Sequence, residues 1–109
     1  FDAQLAKDEA PPAWDTTLEH AGQNVLNWTG KGLCLARMGR LEEALACHDR
    51  SLEIDPRYSP GEFHKAMRES DLGRTDEAIK SLERFLSIAP ATLNTLIQEA
   101  RQVLEELKA

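Results

Sequence analysis

The sequence has few aromatic residues, only two cysteines and no long apolar run. Aromatic residues make up 6% of the 109 positions, and abundant Ala, Leu and Glu favour helix over strand. Cys34 and Cys47 are too few for a disulfide framework, which indicates a reducing, cytoplasmic setting. The sequence is compatible both with a disulfide between Cys34 and Cys47 and with two free thiols. No apolar stretch approaches the roughly 20 residues that a membrane-spanning helix needs, so we expect no membrane partner.

Positive charge is also scarce. Thirteen Lys and Arg stand against nineteen Asp and Glu, which gives a net charge of −6. Nucleic-acid binding depends largely on cations that neutralise phosphates, and anionic membranes attract basic surfaces. The balance therefore predicts neither nucleic acid nor membrane as a partner. Hydrophobic content of 41% and charged content of 29% are typical of one soluble globular domain.

Residues suited to metal binding or catalysis are few and badly spaced. The cysteines lack the C-x2–4-C spacing of zinc sites, and the adjacent Cys47 and His48 point in different directions on a helix. Catalytic carboxylates need contrasting environments, whereas the acidic pairs here fall in exposed helix ends. Those pairs are Glu42-Glu43, Asp76-Glu77 and Glu105-Glu106. We expect no metal, no cofactor and no enzyme activity.

The sequence contains two similar segments of eighteen residues. Residues 39–56 read GRLEEALACHDRSLEIDP, and residues 73–90, which follow 34 positions later, read GRTDEAIKSLERFLSIAP. Eight of the eighteen aligned positions are identical, where about one would match by chance. A period of this length indicates a helical repeat.

Each period predicts two amphipathic helices and two tight turns. Apolar residues recur every three or four positions in residues 41–54, which is typical of a buried helical face. Gly39 and Gly73 suit the left-handed backbone that ends many helices, and Pro56 and Pro90 stop the second helices. The positions that we expect to hold the repeats together are Trp28, Gly32, Gly39, Ala44, Pro56, Ala66, Gly73, Ala78, Pro90 and Ala100.

The same period divides a single domain, 1–109, into four parts. Residues 25–58 and 59–92 are predicted repeats, and residues 93–108 form a terminal capping helix with a polar outer face. Residues 8–22 align on residues 42–56, which predicts a second helix, ending near Gly22, of a degenerate partial repeat in 1–24. Pro11 and Pro12 would lie in its first turn, where missing donors are tolerated.

The helix pair that carries Trp28, Gly32, Gly39, Ala44 and Pro56 resembles the tetratricopeptide repeat. The resemblance implies an all-α, right-handed superhelix of antiparallel helix pairs, whose first helices line a concave wall that holds a partner peptide or protein segment. The sequence departs from the family pattern at Ser51, Glu62 and Glu69. These departures concern how tightly the second helix pair packs and leave the expected architecture unchanged.

The resemblance places nine residues on the concave wall, counted turn by turn along the first helices. They are Thr29, Leu33, Arg37, Phe63, Met67, Ser70, Asp71, Ile97 and Arg101. Three of them, Leu33, Phe63 and Met67, would form an apolar floor, and the alternative is that these three are ordinary core residues. The Lys, Asn and Arg set with which some family members grip a terminal carboxylate is missing.

Three functional hypotheses follow from this pattern. The first is a non-catalytic scaffold for a protein or peptide partner. The second is a self-assembly module, a homo-oligomer joined through the end of the stack at Trp14 or Leu107. The third is an RNA-reading helical repeat, which would need a basic inner face, and the net charge of −6 counts against it.

Overall fold

The structure, a computed structural model, describes residues 18–109. This range forms α-helices without strands, which confirms the all-α helical-repeat fold. The helices are α1 (Leu18–Arg37), α2 (Leu41–Ile54), α3 (Ser59–Asp71), α4 (Thr75–Ile88) and α5 (Asn94–Lys108), with a 3-10 turn at Ala91–Leu93 before α5. Each helix packs on the next in chain order, and the α1–α2 and α3–α4 pairs have the most extensive contacts.

Both turns inside the pairs use glycine as predicted. Gly39 has a φ of +80° and Gly73 a φ of +79°, a region that costs other residues steric energy. The amide of Arg40 donates to the carbonyl of Leu35 at 3.0 Å, and the amide of Arg74 donates to that of Glu69 at 2.8 Å. These bonds close the helix ends in the Schellman pattern, and each pair turns back within three residues.

The amino-terminal boundary differs from the sequence-based expectation. A helix was expected to end near Gly22, but α1 begins at Leu18 and continues through Gly22 to Arg37. Glycine weakens a helix without ending it when neighbouring turns keep their hydrogen bonds. The remainder of the predicted partial repeat, with Trp14, lies outside the described residues. We keep the names first repeat for residues 25–58 and second repeat for residues 59–92.

Small side chains lie where the helices approach each other most closely. Ala44, Ala66, Ala78 and Ala100 are fully buried. A Cβ atom on Gly32 would lie 2.6 Å from Cε1 of His48, closer than carbon atoms approach without a shift. The contact at Gly32 leaves no room for a larger residue, and the role of the other small repeat positions stays a prediction.

Aromatic and apolar side chains of three helices form one buried cluster. Phe63 and Ala66 of α3, Leu82 and Phe85 of α4, and Ala100 of α5 are its members. Half-buried residues of α5 pack around it, so α5 covers the open side of the second repeat. The helix spans Asn94–Lys108, and its role as the terminal cap of the array stays a prediction.

The two pairs use different chemistry at equivalent positions. In the first repeat, the Arg50 guanidinium lies over the Trp28 ring, 5.1 Å from its centroid. In the second repeat, the residues 34 positions later are Glu62 and Arg84, whose Oε2 and Nε atoms form a salt bridge of 2.8 Å. Glu62 is buried, so the departure from the family pattern at this position is compensated by a charged partner.

Salt bridges also connect one repeat to the next. Arg74 donates to both carboxylate oxygens of Glu42 at 2.9 Å, and Nζ of Lys65 lies 3.2 Å from Oδ1 of Asp49. Exposed pairs contribute at most about 1 kcal/mol each. Packing of α3 on α2 therefore fixes the repeats relative to each other, and the salt bridges add to it.

Among the described helices, none combines the length and the hydropathy that a bilayer-spanning helix requires.

The glycine turns give a first test. We expect Gly39→Ala or Gly73→Ala to lower the free energy of unfolding by about 1–2 kcal/mol, because alanine pays a steric cost at positive φ. The control is Gly30→Ala within α1, where a Cβ would meet nothing within 4 Å. It should raise stability by about 0.5–1 kcal/mol. Urea denaturation followed by circular dichroism measures both, and equal effects at the turn and in the helix would contradict the assignment.

Candidate partner-binding surface

One side of α1 carries a partly apolar stripe. Leu26, Leu33 and Arg37 are seven and four residues apart, which places them on one side of a helix. The Leu26 side chain is 56% exposed, Leu33 is half-buried and Arg37 is exposed. Gly30 lies between them with open space where a Cβ would be. We call Leu26, Leu33 and Arg37 the α1 stripe, and an incoming side chain can reach it.

Sequence reasoning missed two exposed apolar residues. Leu26 precedes Leu33 by two helical turns, and this spacing is the signal that could have found it. Met38, after the end of α1, is 59% exposed, and its position in the sequence pattern does not predict this exposure. These two are the large hydrophobic side chains with the greatest exposure among the described residues.

Thr29, predicted on the concave wall, is instead part of the core. It is only 6% exposed. Its hydroxyl donates to the carbonyl of Val25 at 2.9 Å and lies 3.0 Å from the hydroxyl of Ser51. Since this group is fully engaged between α1 and α2, the assignment of Thr29 to partner binding is wrong.

Phe63, predicted in the apolar floor, is also a core residue. It is 4% exposed, and its ring centroid lies 5.5 Å from that of Phe85. Phe63 and Phe85 stand 34 residues after Thr29 and Ser51, so the same contact is apolar in the second repeat and hydroxylic in the first. For Phe63, the alternative interpretation as a core residue is the correct one.

The remaining wall candidates keep some exposure. Met67 and Ile97 are half-buried and pack against the core cluster. Ser70 is half-buried, and Asp71 and Arg101 are exposed. Asp71 is already engaged within α3, because Nη2 of Arg68 lies 3.2 Å from its Oδ2. A partner would therefore meet mixed apolar and charged groups here.

A charged cleft opens elsewhere, between α2, α3 and α4. Its volume is about 390 Å³, and it is lined by Leu45, Asp49, Lys65, Glu69, Arg74, Glu77, Lys80 and Ser81. None of the wall candidates lines it. Three acidic and three basic side chains line this cleft, so it offers no net charge of one sign to a ligand.

One of the residues that line the cleft is a buried acid. Glu69 is buried, and the hydroxyl of Ser81 donates to its Oε1 at 2.7 Å. Burial raises the pKa of Glu69, while the Ser81 hydrogen bond and the charge of Lys65 oppose the shift. The equivalent residues of the first repeat are Leu35 and Cys47, so Glu69 and Ser81 are the polar counterpart of an apolar pair.

Metal-ligating residues do not cluster within residues 18–109. Within that range, no group of three or more His, Cys, Asp and Glu is placed to hold a metal ion. The two cysteines are free thiols, with Cys34 exposed and Cys47 buried, and this resolves the open disulfide question. Burial raises the pKa of the Cys47 thiol, which disfavours the reactive thiolate.

Comparison with known families agrees with this geometry. One tetratricopeptide-repeat model matches residues 27–58, and a second model with the same description matches residues 63–92. Together they cover more than half of the chain, and each covers most of one helix pair, α1–α2 or α3–α4. The chain belongs to the tetratricopeptide-repeat family. Repeats of this family indicate a protein–protein interaction scaffold.

The chain is also similar to part of a much longer protein. It is described as a probable UDP-N-acetylglucosamine–peptide N-acetylglucosaminyltransferase SPINDLY of Hordeum vulgare, and it is 29% identical over 83 residues. The match covers 76% of this chain and 9% of that protein. Because the chain spans so small a part of that relative, the likeness does not extend to its transferase activity.

The Glu69–Ser81 pair can be tested against its apolar counterpart. Ser81→Ala should lower the free energy of unfolding by about 1–3 kcal/mol, because the buried carboxylate loses its donor. The double variant Glu69→Leu with Ser81→Cys copies Leu35 and Cys47, and we expect it to be at least as stable as the wild type. Urea denaturation measures both. A double variant less stable than Ser81→Ala would overturn this account.

Proposed function

We propose that the chain is a non-catalytic scaffold that binds a peptide or protein segment along the concave wall formed by α1, α3 and α5. The observation that carries the proposal is the α1 stripe, where a leucine side chain is more than half exposed beside an open glycine. Exposed leucines are common singly, but this one aligns with a second leucine and an arginine.

Contacts between the first helices support the placement of this wall. α1 touches α3 directly, in addition to its own partner α2. The α1 stripe can therefore continue across Met67 and Ser70 of α3 towards Ile97 and Arg101 of α5. Such a surface has an apolar middle and basic residues at both ends, at Arg37 and Arg101.

A partner for this wall would be a segment with apolar side chains and an acidic residue. Leu26, Leu33 and Met67 would take the apolar side chains, since removing them from water supplies most of the binding energy. Arg37 would attract the carboxylate, because its guanidinium can hold it with two hydrogen bonds. The free thiols of Cys34 and Cys47 support a reducing compartment for this role.

Peptide selection tests the proposed wall. Peptides selected on the chain from a random display library should bind Leu26→Ser about 10-fold to 100-fold more weakly, because a buried leucine supplies about 1.5–3 kcal/mol. Ala46→Ser, on the exposed part of α2, is the matched control and should bind as the wild type does. Calorimetry measures the affinities. Peptides that bind Leu26→Ser and the wild type equally would refute the wall.

Self-association is a second candidate function, favoured by one observation on α5. This helix packs on α4. Its apolar residues Leu96, Val103 and Leu107 contact the core cluster and keep only part of their surface exposed. A second copy of the chain could cover them, as a following helix does in longer arrays.

Light scattering across a concentration series separates the two candidates. The scaffold proposal predicts a monomer mass at every concentration. A mass that rises towards a dimer, and that Leu107→Ser returns to the monomer value, would give self-association the lead.

A further inference from the structure

His48 is one of the fully buried residues of the first repeat. It lies in α2 and is 0% exposed. Its ring packs on Gly32 of α1, where Cε1, Nδ1 and Nε2 would lie 2.6, 2.9 and 3.0 Å from an added Cβ. The equivalent residue of the second repeat is Leu82, which is also fully buried. An ionisable ring thus fills a site that the second repeat fills with a hydrocarbon side chain.

The other side of His48 faces the second repeat. The ring of His64, in α3, stacks on it with centroids 5.6 Å apart and an interplanar angle of 27°. Neither ring nitrogen of His48 has a hydrogen-bond partner within the described part of the chain. The stack therefore forms part of the contact between α2 and α3, which joins the two repeats. We call this pair the histidine joint.

The charged groups around the joint all disfavour a proton on His48. From α3, His64 and Arg68 face it, and α1 faces it with Gly32. Burial, then the positive charges of His64 and Arg68, lower the pKa of His48 from 6.5 to about 4. Burial, then Arg68, also lowers the pKa of His64.

Two carboxylates on the helices of the joint are already paired with other groups. Asp49, next to His48 on α2, lies 3.2 Å from Nζ of Lys65, and Asp71 lies 3.2 Å from Nη2 of Arg68. A proton on His48 would thus create a buried cation close to the Arg68 guanidinium. Leaving a charge buried without a partner is among the costliest changes in a protein.

We propose that the histidine joint is an acid-sensitive connection between the two repeats, which loosens when His48 takes up a proton and moves towards water. Opening at this point would let α3 separate from α2 while the second repeat keeps its own core around Leu82 and Phe85. Because the wall of α1 and α3 crosses the same junction, acid would also change its curvature. The joint itself does not depend on the identity of any partner.

The direction of the pH effect follows from the lowered pKa. A base whose pKa is lower in the folded state stabilises that state fully above its unfolded value, near 6.5, and loses the contribution as pH falls. The folded-to-unfolded ratio should fall roughly tenfold between pH 7.5 and pH 5.5, and roughly thirtyfold by pH 5.

The first experiment compares the pH dependence of stability in matched variants. All chains carry His20→Gln, which removes a histidine outside the joint. Urea denaturation at pH 7.5, 5.5 and 5 should show the stated loss with His48 present. His48→Leu, which copies Leu82, should lose the part of that dependence that His48 contributes and keep only the part due to His64. His48→Gln should behave in the same way if leucine does not fit over Gly32. An unchanged pH dependence in a folded His48 variant would overturn the proposal.

The second experiment locates the opening. Amide hydrogen exchange at pH 7.5 and pH 5.5, corrected for its intrinsic pH dependence, should show protection lost first at the facing amides of α2 and α3. Protection between α4 and α5 should persist at the same pH. Equal loss across all helices would mean global unfolding and would also overturn the proposal. A failure of peptide binding would leave both readouts unaffected, so the two proposals are tested separately.

Discussion

The distance between the two helices of each pair is set by a small residue that faces a large one. In the first repeat Gly32 faces His48, and the contact is so close that no Cβ fits between them. In the second repeat Ala66 and Leu82 lie in the same buried cluster. A helix pair cannot bury its apolar faces by itself, so the next helix must stack on it. The spacing within each pair therefore determines how the helices from α1 to α5 pack on one another.

The fold could be predicted from the sequence because its determinants are local and periodic. Gly39 and Gly73 follow the last apolar turn of their helices, and Pro56 and Pro90 follow the second helices. These residues act on their own backbone, so a single sequence displays them. The start of α1 was not predictable in the same way, since Gly22 also fits a helix end and only the continued hydrogen bonding of the helix decides.

The candidate surface was less predictable, because exposure depends on what the neighbouring helix brings. Thr29 and Leu33 differ by one helical turn, yet one is buried by Ser51 and the other is half-exposed. Phe63 is hidden because Phe85 and the α5 side chains surround it. Counting turns along a single helix assigns a residue to one side of the helix with an error of about one position. That error is enough to place a core residue on the concave wall.

The unlike chemistry of the equivalent contacts has a consequence for how the chain finds its correct partner helices. A chain with two similar repeats can pair a first helix with the wrong second helix, and misassembly of this kind is characteristic of repeat proteins. If α3 took α2 as its pair partner in place of α4, Glu69 would face Cys47 and lose the hydroxyl of Ser81, while Phe63 would face the hydroxyl of Ser51. If α1 took α4, Thr29 would face Phe85. Each exchange would bury a polar group against a side chain that gives it no hydrogen bond. The different chemistry of the two repeats therefore favours the correct helix pairs during folding.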